Sequence, residues 1–91
     1  MQQGDRRREP RVRSKGEVTL ITAEDRRIVG TIYDVSSVGM CVRVSEGLAA
    51  GLTLKVETHV FSAEGVVRHC SCKDGIHYVG IDLDPNRTAQ V

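Results

Sequence analysis

Between Gly16 and Leu83 turn-forming residues recur at short intervals, and the stretches they leave between them are too brief for anything but strands. Those stretches are Glu17–Ala23, Ile28–Tyr33, Met40–Val44, Thr53–Thr58, Phe61–Cys70 and His77–Leu83. Apolar side chains fall at every second position in several of them: Val18 with Leu20, Ile28 with Gly30 and Ile32, Leu54 with Val56, and Val79 with Ile81 and Leu83. That is the period of a pleated strand with one buried face. No window keeps a helical period over helix length, and Glu46–Gly51, with Leu48 among small residues, suffices for a turn or one helical turn. The punctuation has its own chemistry. Glu24-Asp25-Arg26-Arg27 is a charged turn, Asp34–Gly39 is dense in turn formers, and Asp74-Gly75 is a hairpin dipeptide because glycine tolerates positive φ. Six short antiparallel strands left open would expose unpaired edges, so the predicted fold class is all-β, a small six-stranded antiparallel β-barrel.

A chain of 91 residues has room for one such domain, and its hydrophobic (40%) and charged (27%) fractions are those of a chain that folds. The barrel is expected over residues 16–84. Residues 1–15, MQQGDRRREPRVRSK, are polar, and Pro10 removes an amide donor and biases Glu9 to extended geometry, so a flexible N-terminal arm is expected there. Residues 85–91 form a C-terminal tail expected to fray. Cys41, Cys70 and Cys72 make an odd set, and a Cys-x-Cys pair on one strand does not bridge easily, so reduced thiols are expected. No apolar run approaches the roughly 18–20 residues that span a bilayer, and no apolar core of a signal peptide follows the first arginines. The expectation is a cytoplasmic protein without membrane insertion.

Two motifs carry chemistry. Arg7-Arg8-Glu9-Pro10-Arg11 contains Arg-x-x-x-Arg, and Asp34-Val35-Ser36-Ser37-Val38-Gly39 reads Asp-x-Ser-x-x-Gly. Each alone is a common composition. In this order, one before the first strand and one between the second and third, they resemble the PilZ domain family, and the similarity continues through Gly51, Gly65-Val66-Val67-Arg68 and Tyr78-Val79-Gly80-Ile81-Asp82. The resemblance implies a PilZ-like barrel that binds the bacterial second messenger cyclic di-GMP, with Arg7, Arg11, Asp34, Ser36 and Gly39 at the matching contact positions. It implies no enzyme activity, no metal and no cofactor. With no output domain in the sequence, an unidentified effector protein is the expected partner. Arg6, a basic residue just before the arginine motif, tends in that family to accompany two stacked ligand molecules.

The residue chemistry agrees with that ligand. An arginine fork can bond guanine O6 and N7 or grip a phosphate, and its flat face stacks on a purine. The Asp34 carboxylate accepts only, which matches guanine's N–H donors and disfavours adenine, and the Ser36 hydroxyl adds a short bond. Gly39 is expected to permit a turn at positive φ and close backbone approach. Arg8 either serves the phosphates or faces solvent.

Plainer readings compete. The arginines could be a solvated tail or a nucleic-acid arm, and Asp34, Ser36 and Gly39 a simple turn whose side chains bond local amides. A near-neutral net charge of +1 and three aromatics, Tyr33, Phe61 and Tyr78, argue against binding of a nucleic-acid polymer. His69, Cys70, Cys72 and His77 have zinc-ligand chemistry, but a single residue separates the cysteines where structural sites use two to four. No catalytic constellation stands out. The alternative to a cyclic di-GMP receptor is a PilZ-like protein-interaction module that does not bind the nucleotide.

Overall fold

The structure, a computed structural model, describes residues 12–13 and 16–90. Its strands are β1 (Val12–Arg13), β2 (Glu17–Thr22), β3 (Arg27–Val35), β4 (Gly39–Val44), β5 (Thr53–Glu57), β6 (Phe61–Lys73) and β7 (Ile76–Gln90). All pairings are antiparallel. Strands β2 to β7 pair in the order β3-β2-β5-β6-β7-β4, and β4 returns to β3, so the sheet closes into a six-stranded barrel of the predicted class.

The alternating positions fill the interior. Leu20, Val42, Val56 and Val79 have no exposed surface, and Val18, Met40, Val67 and Ile81 are buried nearly as completely. Leu48 joins the core from the loop after β4. That loop is tied to β6 by Gly51 N donating to Val67 O at 2.7 Å and Val67 N donating to Leu52 O at 2.9 Å.

The hairpins follow their turn residues. Asp74 and Gly75 both have positive φ, 55° and 81°, the two-residue turn whose twist matches the β6–β7 ribbon. Between β2 and β3, Asp25 N donates to Thr22 O at 2.9 Å and Asp25 itself is left-handed, with φ 65°. This is a tight turn followed by a left-handed residue, and the Thr22 hydroxyl accepts a further bond from Arg26 N at 3.2 Å.

Three features depart from the sequence reading. First, residues 85–90 are not a frayed tail but the end of β7. Asp84-Pro85-Asn86 does turn, with Asn86 N donating to Asp84 Oδ1 at 2.9 Å and Thr88 Oγ1 donating to Asp84 O at 2.8 Å. Pairing then resumes at Ala63↔Thr88 and runs to Phe61↔Gln90, because β6 begins well before Gly65 and offers its edge. Second, Val12 and Arg13, placed in the arm, pair with Val35 and Asp34. Thr31 pairs with both β2 and β4, and Asp34 with both β1 and β4, so β1 and β2 share one edge of β3 and β4 takes the other. Third, the pleat is broken by bulges between Ile32 and Asp34 on β3 and between Val67 and His69 on β6. Among the described residues no helix is long and apolar enough to cross a membrane.

Candidate functional site

The bulge on β3 decides where Asp34 points. In an unbroken pleat Asp34 would share the inner face of Ile32. The extra residue turns Tyr33 and Asp34 outward and brings Val35 back against the core. Asp34 therefore lies on the barrel wall, opposite Arg13 of β1 on one side and Cys41 of β4 on the other. The same lateral row continues through Gly80 of β7 to His69 of β6.

The turn that follows is built by Ser36 and Gly39. Ser36 N donates to Gly39 O at 2.8 Å, the Ser36 hydroxyl approaches the same carbonyl at 3.3 Å, and Val38 N approaches Ser36 Oγ at 3.4 Å. The hydroxyl thus serves the turn, as the plainer reading expected, with lone-pair capacity remaining. Leu83 N donates to Val38 O at 3.0 Å and fastens the turn to β7.

Gly39 is required for a different reason from the one expected. The glycines with positive φ among the described residues are Gly51 and Gly75, not Gly39. A Cβ on Gly39 would stand 3.1 Å from Ile81 O, so its value is close packing against β7.

Beside these residues a surface cleft of about 400 Å3 opens, walled by Asp34 and Gly39 on one side and by Arg68, His69 and Asp82 on the other, with Cys41 and Gly80 between. Its size is within the range of about 300–1,000 Å3 of small-ligand sites. Arg68 Nη1 lies 3.4 Å from Asp82 Oδ1, and both side chains are more than half exposed. Such a pair contributes little to stability and leaves the guanidinium able to exchange its carboxylate for another anion.

One tier along the same wall, Tyr33 and Tyr78 meet edge to face with ring centroids 5.7 Å apart, and the Arg43 guanidinium stands 5.5 Å from the Tyr33 centroid. Arg43 Nε is buried without a hydrogen-bond partner. Two of the three aromatics are thus brought together beside the cleft.

Arg6, Arg7, Arg8 and Arg11 lie outside the described residues. Asp34, Ser36 and Gly39 fall in one turn, as their motif requires. Arg68, Gly80 and Asp82 lie in segments that resemble the family but were given no contact role, His69 lies outside those segments, and the cross-strand register is what brings the four onto one wall. Cys70 Sγ lies 3.9 Å from His77 Nδ1, and among the described residues no three His, Cys, Asp or Glu side chains form a group able to hold a metal ion.

The PilZ domain family matches residues 5–90, nearly the whole chain. The chain is a PilZ domain. Members of this family are receptor and adaptor modules, and no catalytic family is indicated. Two solved structures share the PilZ fold. The PilZ domain of YcgR from Escherichia coli, solved with c-di-GMP, superposes with a TM-score of 0.71 at 18% identity, over 87% of this chain and 78% of that one. The Bacillus subtilis inhibitor of motility, MotI/DgrA, gives 0.68 at 21% identity over 88% of this chain. This PilZ domain spans 43% of the length of that protein. No curated protein matches its sequence.

Proposed function

We propose that this PilZ domain is a cytoplasmic receptor for cyclic di-GMP that changes conformation on binding and signals to an effector protein. The observation that carries the reading is the β1 pairing: Val12, the residue bonded to Arg11, is opposite Val35, and Arg13 is opposite Asp34. Because β1 runs antiparallel to β3, the chain bearing the arginine motif joins the barrel beside the Asp34–Gly39 turn. That pairing supports a site to which both motifs contribute. Arginines at 7 and 11 would meet the phosphates and guanine edges, Asp34 the guanine N–H donors, and the remaining capacity of Ser36 one further polar atom. The nucleotide in the Escherichia coli neighbour supports the same ligand class. We further propose that Arg6 allows two stacked ligand molecules per chain.

Isothermal titration with cyclic di-GMP, with cyclic di-AMP and single-stranded RNA as controls, tests the reading. Saturable binding of cyclic di-GMP alone is expected, at two molecules per chain. Arg7→Ala or Arg11→Ala should each weaken binding by about 1.5–3 kcal/mol or more, the scale of a charge-assisted hydrogen bond, with the circular dichroism unchanged. No heat with cyclic di-GMP would favour the protein-interaction module instead, and saturation at one molecule would remove the role of Arg6.

A further inference from the structure

The bulge on β6 repeats the device found on β3. In an unbroken pleat His69 would join Val67 on the inner face. The register shift between Val67 and His69 turns His69 outward with Arg68 and returns Cys70 to the core. Bulges are concentrated beside binding sites because they re-aim a side chain. Here two of them, on strands separated by β4 and β7, direct Asp34 and His69 onto opposite walls of the same cleft.

The imidazole has a prepared seat. His69 is directly opposite Gly80, and a Cβ on residue 80 would lie 2.6 Å from Nε2 and 2.8 Å from Cε1 of the ring. Any other residue at 80 would displace it. The ring therefore lies over Gly80 of β7, while the His69 residue as a whole stays exposed. The floor left between the ring and Asp34 is about two strand spacings wide, roughly 10 Å. A purine set face to face against the exposed side of that ring, above the Cys41 wall, would turn its edge toward the Asp34 acceptor.

We propose that His69, held across Gly80, is a further ligand-contact residue that stacks on one purine of the bound nucleotide while Asp34 takes the donor edge. The inference rests on the cyclic di-GMP reading and adds a residue to that site from the opposite wall. Imidazole is among the side chains on which bases stack. Loss of one stacked base corresponds to a weakening of about five- to a hundredfold.

The test is a calorimetric titration of cyclic di-GMP into the full chain, its His69→Ala, His69→Phe and Arg11→Ala variants, with the His69 ring protons followed by NMR in the parent. His69→Ala should weaken binding about five- to a hundredfold, His69→Phe should stay within about threefold of the parent, and the ring protons should move upfield on saturation. Parent affinity in His69→Ala, equal weakness in His69→Phe and His69→Ala, or unmoved ring protons would each overturn the stacking role. If the parent binds and Arg11→Ala does not, while His69→Ala binds as the parent does, the receptor reading stands and this inference alone falls. If the parent gives no heat, both fall.

Discussion

Asp34 is aimed by a bulge, bracketed by two strands, and followed by a turn whose own hydrogen bonds are made by Ser36. Its residue type was legible from the motif, since an acceptor-only group suits the donor edge of guanine. Its orientation was not, because strict alternation from Ile32 puts Asp34 in the core, and only the three-dimensional return of Val35 to the core shows the slip. Gly39 shows the reverse case: the sequence identified the residue, while the cause lay across the sheet at the Ile81 carbonyl. If Asp34 reads the base, Asp34→Ala weakens cyclic di-GMP binding and raises cyclic di-AMP binding relative to it, because the group that discriminates the two rings is gone. Competition titrations with both nucleotides measure that ratio. An unchanged ratio would leave Asp34 as a strand residue with no part in choosing the base. Ser36→Ala loses the hydroxyl contacts to Gly39 O and Val38 N even without ligand, so a drop in free-state stability of about 1 kcal/mol accompanies any loss of affinity.

At the scale of elements, strand existence was readable and strand length was not. Period-two alternation located four of the six barrel strands, the turn residues on either side bounded the other two, and the hairpin residues Asp25, Asp74 and Gly75 adopt the left-handed conformations their turns demand. The second half of β7 escaped detection because Arg87-Thr88-Ala89-Gln90 has no apolar alternation. Its strand character comes from the edge of β6, which pairing at Phe61↔Gln90, Ser62↔Ala89 and Ala63↔Thr88 occupies. β1 escaped for the same reason, being two residues long and held by β3 alone. A backbone pairing that supplies structure where side chains do not should still register in stability. Ending the chain after Asp84 removes these three pairings and uncovers Phe61, which packs against the core, and Ala63, which belongs to it. The expected loss is on the order of 1.5–4.5 kcal/mol, taking about 0.5–1.5 kcal/mol for one net hydrogen bond at each of the three pairings. Urea denaturation followed by circular dichroism reads it as a lower midpoint, and an unchanged midpoint would show that residues 85–91 behave as a tail after all.

For the whole molecule, the sheet is closed on itself around a filled core, so the conformational change proposed above would have to lie in what is attached to the barrel. The core fills the interior, so the proposed ligand would have to bind on the outer wall, where the cleft opens between β3–β4 and β6–β7. The β1 pairing divides the arm of the sequence reading into two parts: Val12 and Arg13 are paired to β3, and the arginine motif precedes them in the sequence. Four arginines in a polar, proline-containing stretch repel one another in the absence of an anion. Two ligand phosphates would neutralise them, and the new contacts must offset about 1–2 kcal/mol of backbone ordering for every residue fixed, so the captured stretch should be short. Because Val12 and Arg13 already pair with β3, they add nothing to that cost. A partner protein would then distinguish two surfaces, the bare cleft and the cleft covered by the arm. Amide hydrogen exchange tests this directly. Residues 12–13 should be protected with or without nucleotide, whereas residues 6–9 and 11, together with 34–39, should gain protection only at saturating cyclic di-GMP. Protection of 6–9 and 11 in the free protein, or continued exchange there at saturation, would rule out an arm-closing switch and leave the barrel wall alone to carry the signal.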